Sequence, residues 1–169
     1  MGDPRRGGAR RYRFTEGPAA LALRIPEVLD SQYGMYVWPC AVVLAQYLWV
    51  HRSSLPGKRV LEIGAGVSLP GVVAAKCGAE VTLSDNFEDV LTTIYFLLEK
   101  NPHAQFWTTY QVRSADWSIE ALLCKWKLKS IHVPLRSFGA DKEHLGSSSL
   151  PGRHTIEMMI ISLAKSDGT

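Results

Sequence analysis

Arg59-Val-Leu-Glu-Ile-Gly-Ala-Gly-Val-Ser-Leu-Pro-Gly71 is the stretch on which the reading of this chain turns. Val60, Leu61 and Ile63 form a short apolar run, the pattern of a strand buried on both faces of a parallel sheet. Gly64, Ala65 and Gly66 permit a tight turn in which the backbone comes close to a ligand, because glycine accepts positive φ and carries no Cβ. From Gly71 onward Val-Val-Ala-Ala-Lys-Cys predicts a helix, whose first N–H groups have no partner within it and can face that ligand. A second strand, Glu80-Val-Thr-Leu-Ser84, ends in Asp85, 19 residues beyond Gly66. In nucleotide-binding βαβ units an acid about 20 residues past the glycines holds the ribose hydroxyls. Turn, helix and acid together predict an adenosine-binding unit.

Two residues decide which adenosine ligand is expected. The dinucleotide fingerprint G-x-G-x-x-G requires a glycine at position 69, where this chain has Leu69, and that disfavours a nicotinamide-dependent oxidoreductase. Glu62 stands two residues before the first glycine, giving E-x-G-x-G.

Composition predicts one domain with a substantial core: 169 residues, 46% hydrophobic and 21% charged. No apolar run reaches the roughly 18 residues of a membrane span. Cys40, Cys77 and Cys124 are scattered in apolar surroundings without C-x-x-C spacing, which points to buried free thiols in a reducing compartment. The histidines show no metal-ligand spacing, so no metal is expected. Lys125, Lys127 and Lys129 alternate with Trp126 and Leu128 as at a helix end or strand start, and no direct nucleic-acid site is evident. The net charge of +3 is unevenly spread. Arg5, Arg6, Arg10, Arg11 and Arg13 against Asp3 put residues 1–13 at +4 and leave the other 156 at −1.

Residues 1–13 are therefore expected to be a disordered Arg/Gly-rich tail, and 14–169 the single folded domain. Ala19 to Arg24 predicts a helical turn stopped at Pro26; Ala41 to Val50, with Pro39 ahead of it, predicts a helix packed on the sheet. Beyond Asp85, Phe87, Val90, Leu91, Ile94, Leu97 and Leu98 fall at helical spacing up to Asn101-Pro102. Strands are expected at Ala104–Tyr110, Ser130–Leu135 and His154–Ala164, a helix through Ile119 to Trp126, and a polar loop over Ser137–Gly152. That makes five strands in all.

Val37-Trp-Pro-Cys-Ala-Val-Val-Leu-Ala-Gln-Tyr-Leu48, Leu61-Glu-Ile-Gly-Ala-Gly-Val-Ser-Leu-Pro-Gly71 and Val81-Thr-Leu-Ser-Asp85 together resemble the methyltransferase-like branch of the seven-strand S-adenosylmethionine (SAM) methyltransferases. With Thr109-Tyr-Gln-Val-Arg113 and Leu150-Pro-Gly-Arg-His154 the likeness covers nearly everything after the tail. The resemblance implies SAM as cofactor and methyl transfer to a side-chain nitrogen of another protein, lysine or arginine, with histones and chaperones among the substrates, in nucleus and cytoplasm. It implies that Glu62, Gly64, Ala65 and Gly66 hold the methionine part of SAM, that Asp85 holds the ribose, and that Trp38 borders the cofactor.

A seven-strand sheet needs roughly 200 residues at about 30 per βα unit, whereas Lys58 to Thr169 supplies 112. The expected fold is thus α/β, a Rossmann-like SAM methyltransferase sheet with helices on both faces, truncated to about five strands. The family member it resembles would have lost an internal segment after about Asp85, as in a shortened splice form. Removing strands three and four from the family order 3-2-1-4-5-7-6 leaves 2-1-5-7-6, with the Ala104 strand delivered to the free edge of strand one. On the acceptor side Thr109, Tyr110, Gln111 and Arg113 remain as candidates. Two functions follow: a SAM-dependent protein methyltransferase, or a truncated, non-catalytic form that binds SAM weakly or not at all and acts through protein contacts.

Overall fold

From Arg11 to Phe14 arginine and aromatic residues alternate, and a period of two makes strand. In the computed structural model, which describes residues 7–28, 36–84, 90–112, 119–149, 151 and 154–164, β1 (Gly7–Glu16) pairs antiparallel with β2 (Ala19–Val28). Gly17, at φ +54°, and Pro18 form the two-residue loop between them. Tyr12 and Phe14 are completely buried and Ile25 nearly so. The expectation of a disordered tail is corrected here: residues 7–13 are strand, because Tyr12 and Phe14 supply the apolar face that an arginine-rich composition hides. Residues 1–6 lie outside the described set. The helical turn expected at Ala19–Arg24 is likewise replaced by β2.

Helix α1 (Pro39–Val50) starts on proline, with Trp38 as an extended N-cap at φ −73° and ψ 150°. It is apolar nearly all round and correspondingly buried, with Val42, Val43 and Ala45 sealed from solvent. The five expected strands follow: β3 (Arg59–Ile63), β4 (Glu80–Ser84), β5 (Phe106–Gln111), β6 (Leu128–Val133) and β7 (Ile156–Leu163). Between them run α2 (Leu69–Lys76), α3 (Val90–Lys100) and α4 (Ile119–Lys125).

β3 and β4 pair in parallel, Val60 opposite Val81 and Glu62 opposite Leu83. β7 lies between β5 and β6, antiparallel to both, with Met158 opposite Thr109 and Val133. Alternation along β7 divides the core. Ile156, Met158 and Ile160 pack into the cluster built on α1, α2 and the hairpin, whereas Met159 and Ile161 pack with Ile94, Leu98 and Leu123 of α3 and α4. The order 5-7-6 is therefore realised with helices on both faces, and α1 connects the two sheets by packing on α2 and on β5.

The structure departs from the expected order at one join. Among the described residues no ladder links β3 to β5, and the strands form a two-stranded and a three-stranded sheet beside the hairpin. Nor are β3 and β4 buried on both faces: Leu61 is 44% exposed and Leu83 51%. Side chains of the type found in an interior strand are here left partly open to solvent. The loop expected to be merely polar after Ser137 instead contributes buried Phe138, Ala140 and Leu145, and Gly146, at φ +59°, leaves room for the ring of Phe14.

Candidate functional site

At the end of β3 the chain turns through Gly64 (φ +68°) and Gly66 (φ +49°), conformations that a side chain would strain. Ala65 N–H donates to the Ser84 carbonyl at 3.0 Å, which ties the turn to the end of β4. Ser84 is the last described residue before Asp85, and Asp85 lies outside the described residues. Ser68 N–H closes back on the Ala65 carbonyl at 2.6 Å, and Ser68, itself left-handed at φ 52°, is the N-cap of α2.

Glu62 reaches this turn from the strand. Its Oε2 accepts from Ser68 Oγ at 2.6 Å and from Gly71 N–H at 3.0 Å, so the carboxylate takes up an otherwise unpartnered donor in the first turn of α2. Burial pushes the Glu62 carboxyl above the ordinary carboxylate range, and the bonds from Ser68 and Gly71 pull it part of the way back. Gly71 is required for the approach. A Cβ there would stand 2.3 Å from Glu62 Oε2, 2.6 Å from Ser68 Oγ and 2.7 Å from Leu83 Cδ2. Ser68 and Gly71 were thus within the decisive stretch, but their role appears only once the turn brings them onto Glu62.

Trp38 sits at the head of α1, the helix that packs on α2, and its ring stacks on Tyr36 at 5.2 Å and 21°. The preceding residue is held from the hairpin: Val37 N–H donates to Glu27 Oε1 at 3.1 Å. The same oxygen accepts from Tyr12 Oη at 3.1 Å, and Arg10 Nε lies 3.5 Å from Oε2. Beside Glu27, and by burial first of all, the Tyr12 hydroxyl is pushed up to about 12. Sequence reasoning missed this anchorage because it took Tyr12 for part of a tail; the alternation of Tyr12, Phe14, Leu21, Leu23 and Ile25 was the available signal.

The acceptor-side candidates are separated by strand alternation. Thr109 and Gln111 face α1, whereas Tyr110 packs on the α3–α4 side. The Thr109 hydroxyl donates to the Cys40 carbonyl at 2.9 Å, tying β5 to the first turn of α1, and the Gln111 amide meets His154 Nδ1 at 3.0 Å. Arg113 lies outside the described residues. Among the described residues no group of three or more His, Cys, Asp or Glu side chains could hold a metal, and no helix is long and apolar enough to cross a membrane.

The family described as lysine methyltransferase matches residues 19–128. The rat protein named histone-arginine methyltransferase METTL23 is 51% identical over 220 aligned positions, which cover 94% of this chain and 98% of that protein. The human protein of that name is 52% identical over 187 positions, covering 78% and 98%. A bovine protein named protein-lysine methyltransferase METTL21E is 35% identical over 99 positions, or 57% of this chain and 33% of the relative. Because the rat alignment runs to 220 positions and this chain has 169 residues, at least 51 positions inside the alignment have no counterpart here.

Proposed function

The chain belongs to the lysine methyltransferase family, and from that membership we propose that it transfers a methyl group from SAM to a side-chain nitrogen of a protein. Arginine in a histone is the first acceptor to try, since the rat and human relatives that it matches over most of their length carry that name. Lysine comes second, on the family's description and the bovine relative. Nucleus and cytoplasm are the proposed locations, on the support of such substrates.

The arrangement of Glu62, Ser68 and Gly71 at the glycine turn carries this reading. A half-buried carboxylate fixed by two donors suits the ammonium of the methionine part of SAM, and the charge that burial disfavours is stabilised when a cation arrives. The open backbone at Gly64 and Gly66 suits close approach of the ligand. Asp85 is proposed to take the ribose, and Trp38 to border the cofactor. When bound, SAM supplies a methyl group made electrophilic by its sulfonium. The chain's own part is to bind and orient, an effect worth up to about 7–11 kcal/mol in ideal cases. Thr109 and Gln111, on the α1 face of β5, are the acceptor-side residues, with Arg113 proposed beside them. An internal segment is proposed to be missing after about Asp85, on the support of the unmatched alignment positions and of two sheets that share a core without sharing a ladder among the described residues.

Calorimetric titration with S-adenosylhomocysteine, with Gly64→Arg and Asp85→Ala as controls, tests the cofactor half. Labelled SAM with histones, followed by mass spectrometry of the product, tests the acceptor half. Binding lost in both controls, with label on arginine, is the expected result. A folded chain that binds nothing overturns the cofactor site; binding without transfer to any acceptor overturns the enzymatic reading.

A further inference from the structure

The hairpin sets arginines in register. Tyr12 and Phe14 turn one face of β1 into the core, so alternation puts Arg11 and Arg13 on the other. Arg24 of β2 stands directly opposite Arg11 and joins them there, and all three are exposed. Their neighbours on that face, Ala9, Thr15, Ala20, Ala22 and Pro26, are small and exposed. Among the described residues no acid shares it: Glu27 lies on the inner side against Tyr12 and Arg10, and Glu16 pairs with Arg52.

Like charges directly opposite one another weaken a strand pair, and on this face no acid offsets Arg11 against Arg24. We infer that the outer face of the β1–β2 hairpin docks the phosphate backbone of duplex DNA. Clustered guanidinium groups without an intervening acid create a field that a polyanion neutralises, and the planar guanidinium fork matches phosphate oxygens. The surroundings select among polyanions. A folded acidic protein needs a buried aromatic or large aliphatic anchor at the centre of its interface, and beside the arginines this face offers alanine and threonine, with Pro26 at its edge. A single strand needs exposed aromatic rings for its bases, and the hairpin's rings, Tyr12 and Phe14, are buried. With the arginines taken up by phosphates, no other side chain named on the face is long enough to read base edges, so the contact positions the duplex without reading its sequence. From sequence Arg11 and Arg13 belonged to a loose tail and Arg24 to a helical turn; strand register is what makes them a surface.

Fluorescence anisotropy of a labelled duplex, titrated with the whole chain at a series of salt concentrations, tests this. Three phosphate contacts predict that log K falls against log salt with a slope of about −2.7. Arg11→Ala, Arg13→Ala and Arg24→Ala should each flatten the slope by about 0.9, and the triple variant should abolish binding while its circular dichroism stays that of the parent. Lys127→Ala with Lys129→Ala, before and on β6, should change neither affinity nor slope. The proposal is overturned if the parent chain fails to bind duplex at low salt, if the folded triple variant binds as the parent does, or if polyglutamate competes better than duplex.

Discussion

Glu62 and Ser68 are joined by a 2.6 Å hydrogen bond that spans the turn between β3 and α2. Ser68 makes that bond from the left-handed region, at φ 52°, where a non-glycine residue costs about 1–2 kcal/mol. A bond to a charged carboxylate returns about 1.5–3 kcal/mol, so the turn is held in this shape by the side chain of its own N-cap. Ser68→Ala keeps the strain and loses the bond. It should lower stability by about 1.5–3 kcal/mol in urea unfolding, and Ser68→Gly, which also relieves the backbone, should lose about 1 kcal/mol less. Equal losses would show that φ at 68 carries no strain.

Gly71→Ala tests the same contact from the helix side. Its Cβ would come within 2.3 Å of Glu62 Oε2 and within 2.7 Å of Leu83 Cδ2, so the carboxylate and β4 must both shift. Overpacking of this sort costs about 1–3 kcal/mol, and S-adenosylhomocysteine should bind more weakly. Gly8→Ala, where a Cβ meets nothing within 4 Å, should stay within about 0.5 kcal/mol of the parent. Thermal unfolding and calorimetry of the two variants decide it.

Burial raises the Glu62 carboxyl above its ordinary 4.5. A carboxyl whose folded pKa exceeds its unfolded one keeps its proton longer in the folded state. Stability therefore falls as pH rises from about 4.5 through the folded value, and the deficit persists above it. Glu62→Gln retains an acceptor for Ser68 and Gly71 and removes that deficit. Relative to the parent it should gain stability between pH 4 and pH 7, while losing about tenfold or more in affinity for S-adenosylhomocysteine, as expected for one charged contact. A stability difference that does not change with pH would show that Glu62 is not strained by its charge.

The strands and helices between Pro39 and Leu163 were legible because apolar runs, prolines and glycines are local signals: all five expected strands occur, and α1 begins on Pro39. Tyr12 was lost because a composition argument over residues 1–13 averaged away a period of two, which continues in the partner strand that puts Leu23 opposite it. The shortness of the sheet followed from arithmetic on chain length, but the expected join of β5 to β3 is not made among the described residues, where α1 packs on both α2 and β5 instead. At the site, Glu62 and the glycines were legible as a motif. The bonds from Ser68 and Gly71 were not, because a left-handed serine has no sequence signature.

Tyr12 offers a pH signature for the hairpin. Its hydroxyl, buried and bonded to Glu27, is pushed from 10 to about 12. The folded state thus holds the proton more tightly, and the stability this brings is complete below pH 10 and is lost as pH rises from 10 through about 12. A spectrophotometric titration should show one of the six tyrosines ionising near pH 12, and Tyr12→Phe should remove that step. The same variant leaves Glu27 with one donor fewer and should cost about 1–3 kcal/mol. Unchanged titration would mean that the hairpin does not close over Tyr12.

Leu61 tests the short sheet itself. In a strand flanked by neighbours and covered by helices on both faces, Leu→Ala costs about 2–5 kcal/mol. Here Leu61 is 44% exposed, on the face of β3 opposite Glu62, and β3 pairs only with β4 among the described residues. Leu61→Ala should therefore cost at most about 1 kcal/mol, in line with substitutions away from the core. Leu61→Thr, which introduces the β-branched shape a strand favours, should be as stable as the parent and associate less at high concentration, by light scattering. A core-sized loss for Leu61→Ala would mean that some other strand covers β3, and the two sheets would then have to be joined after all.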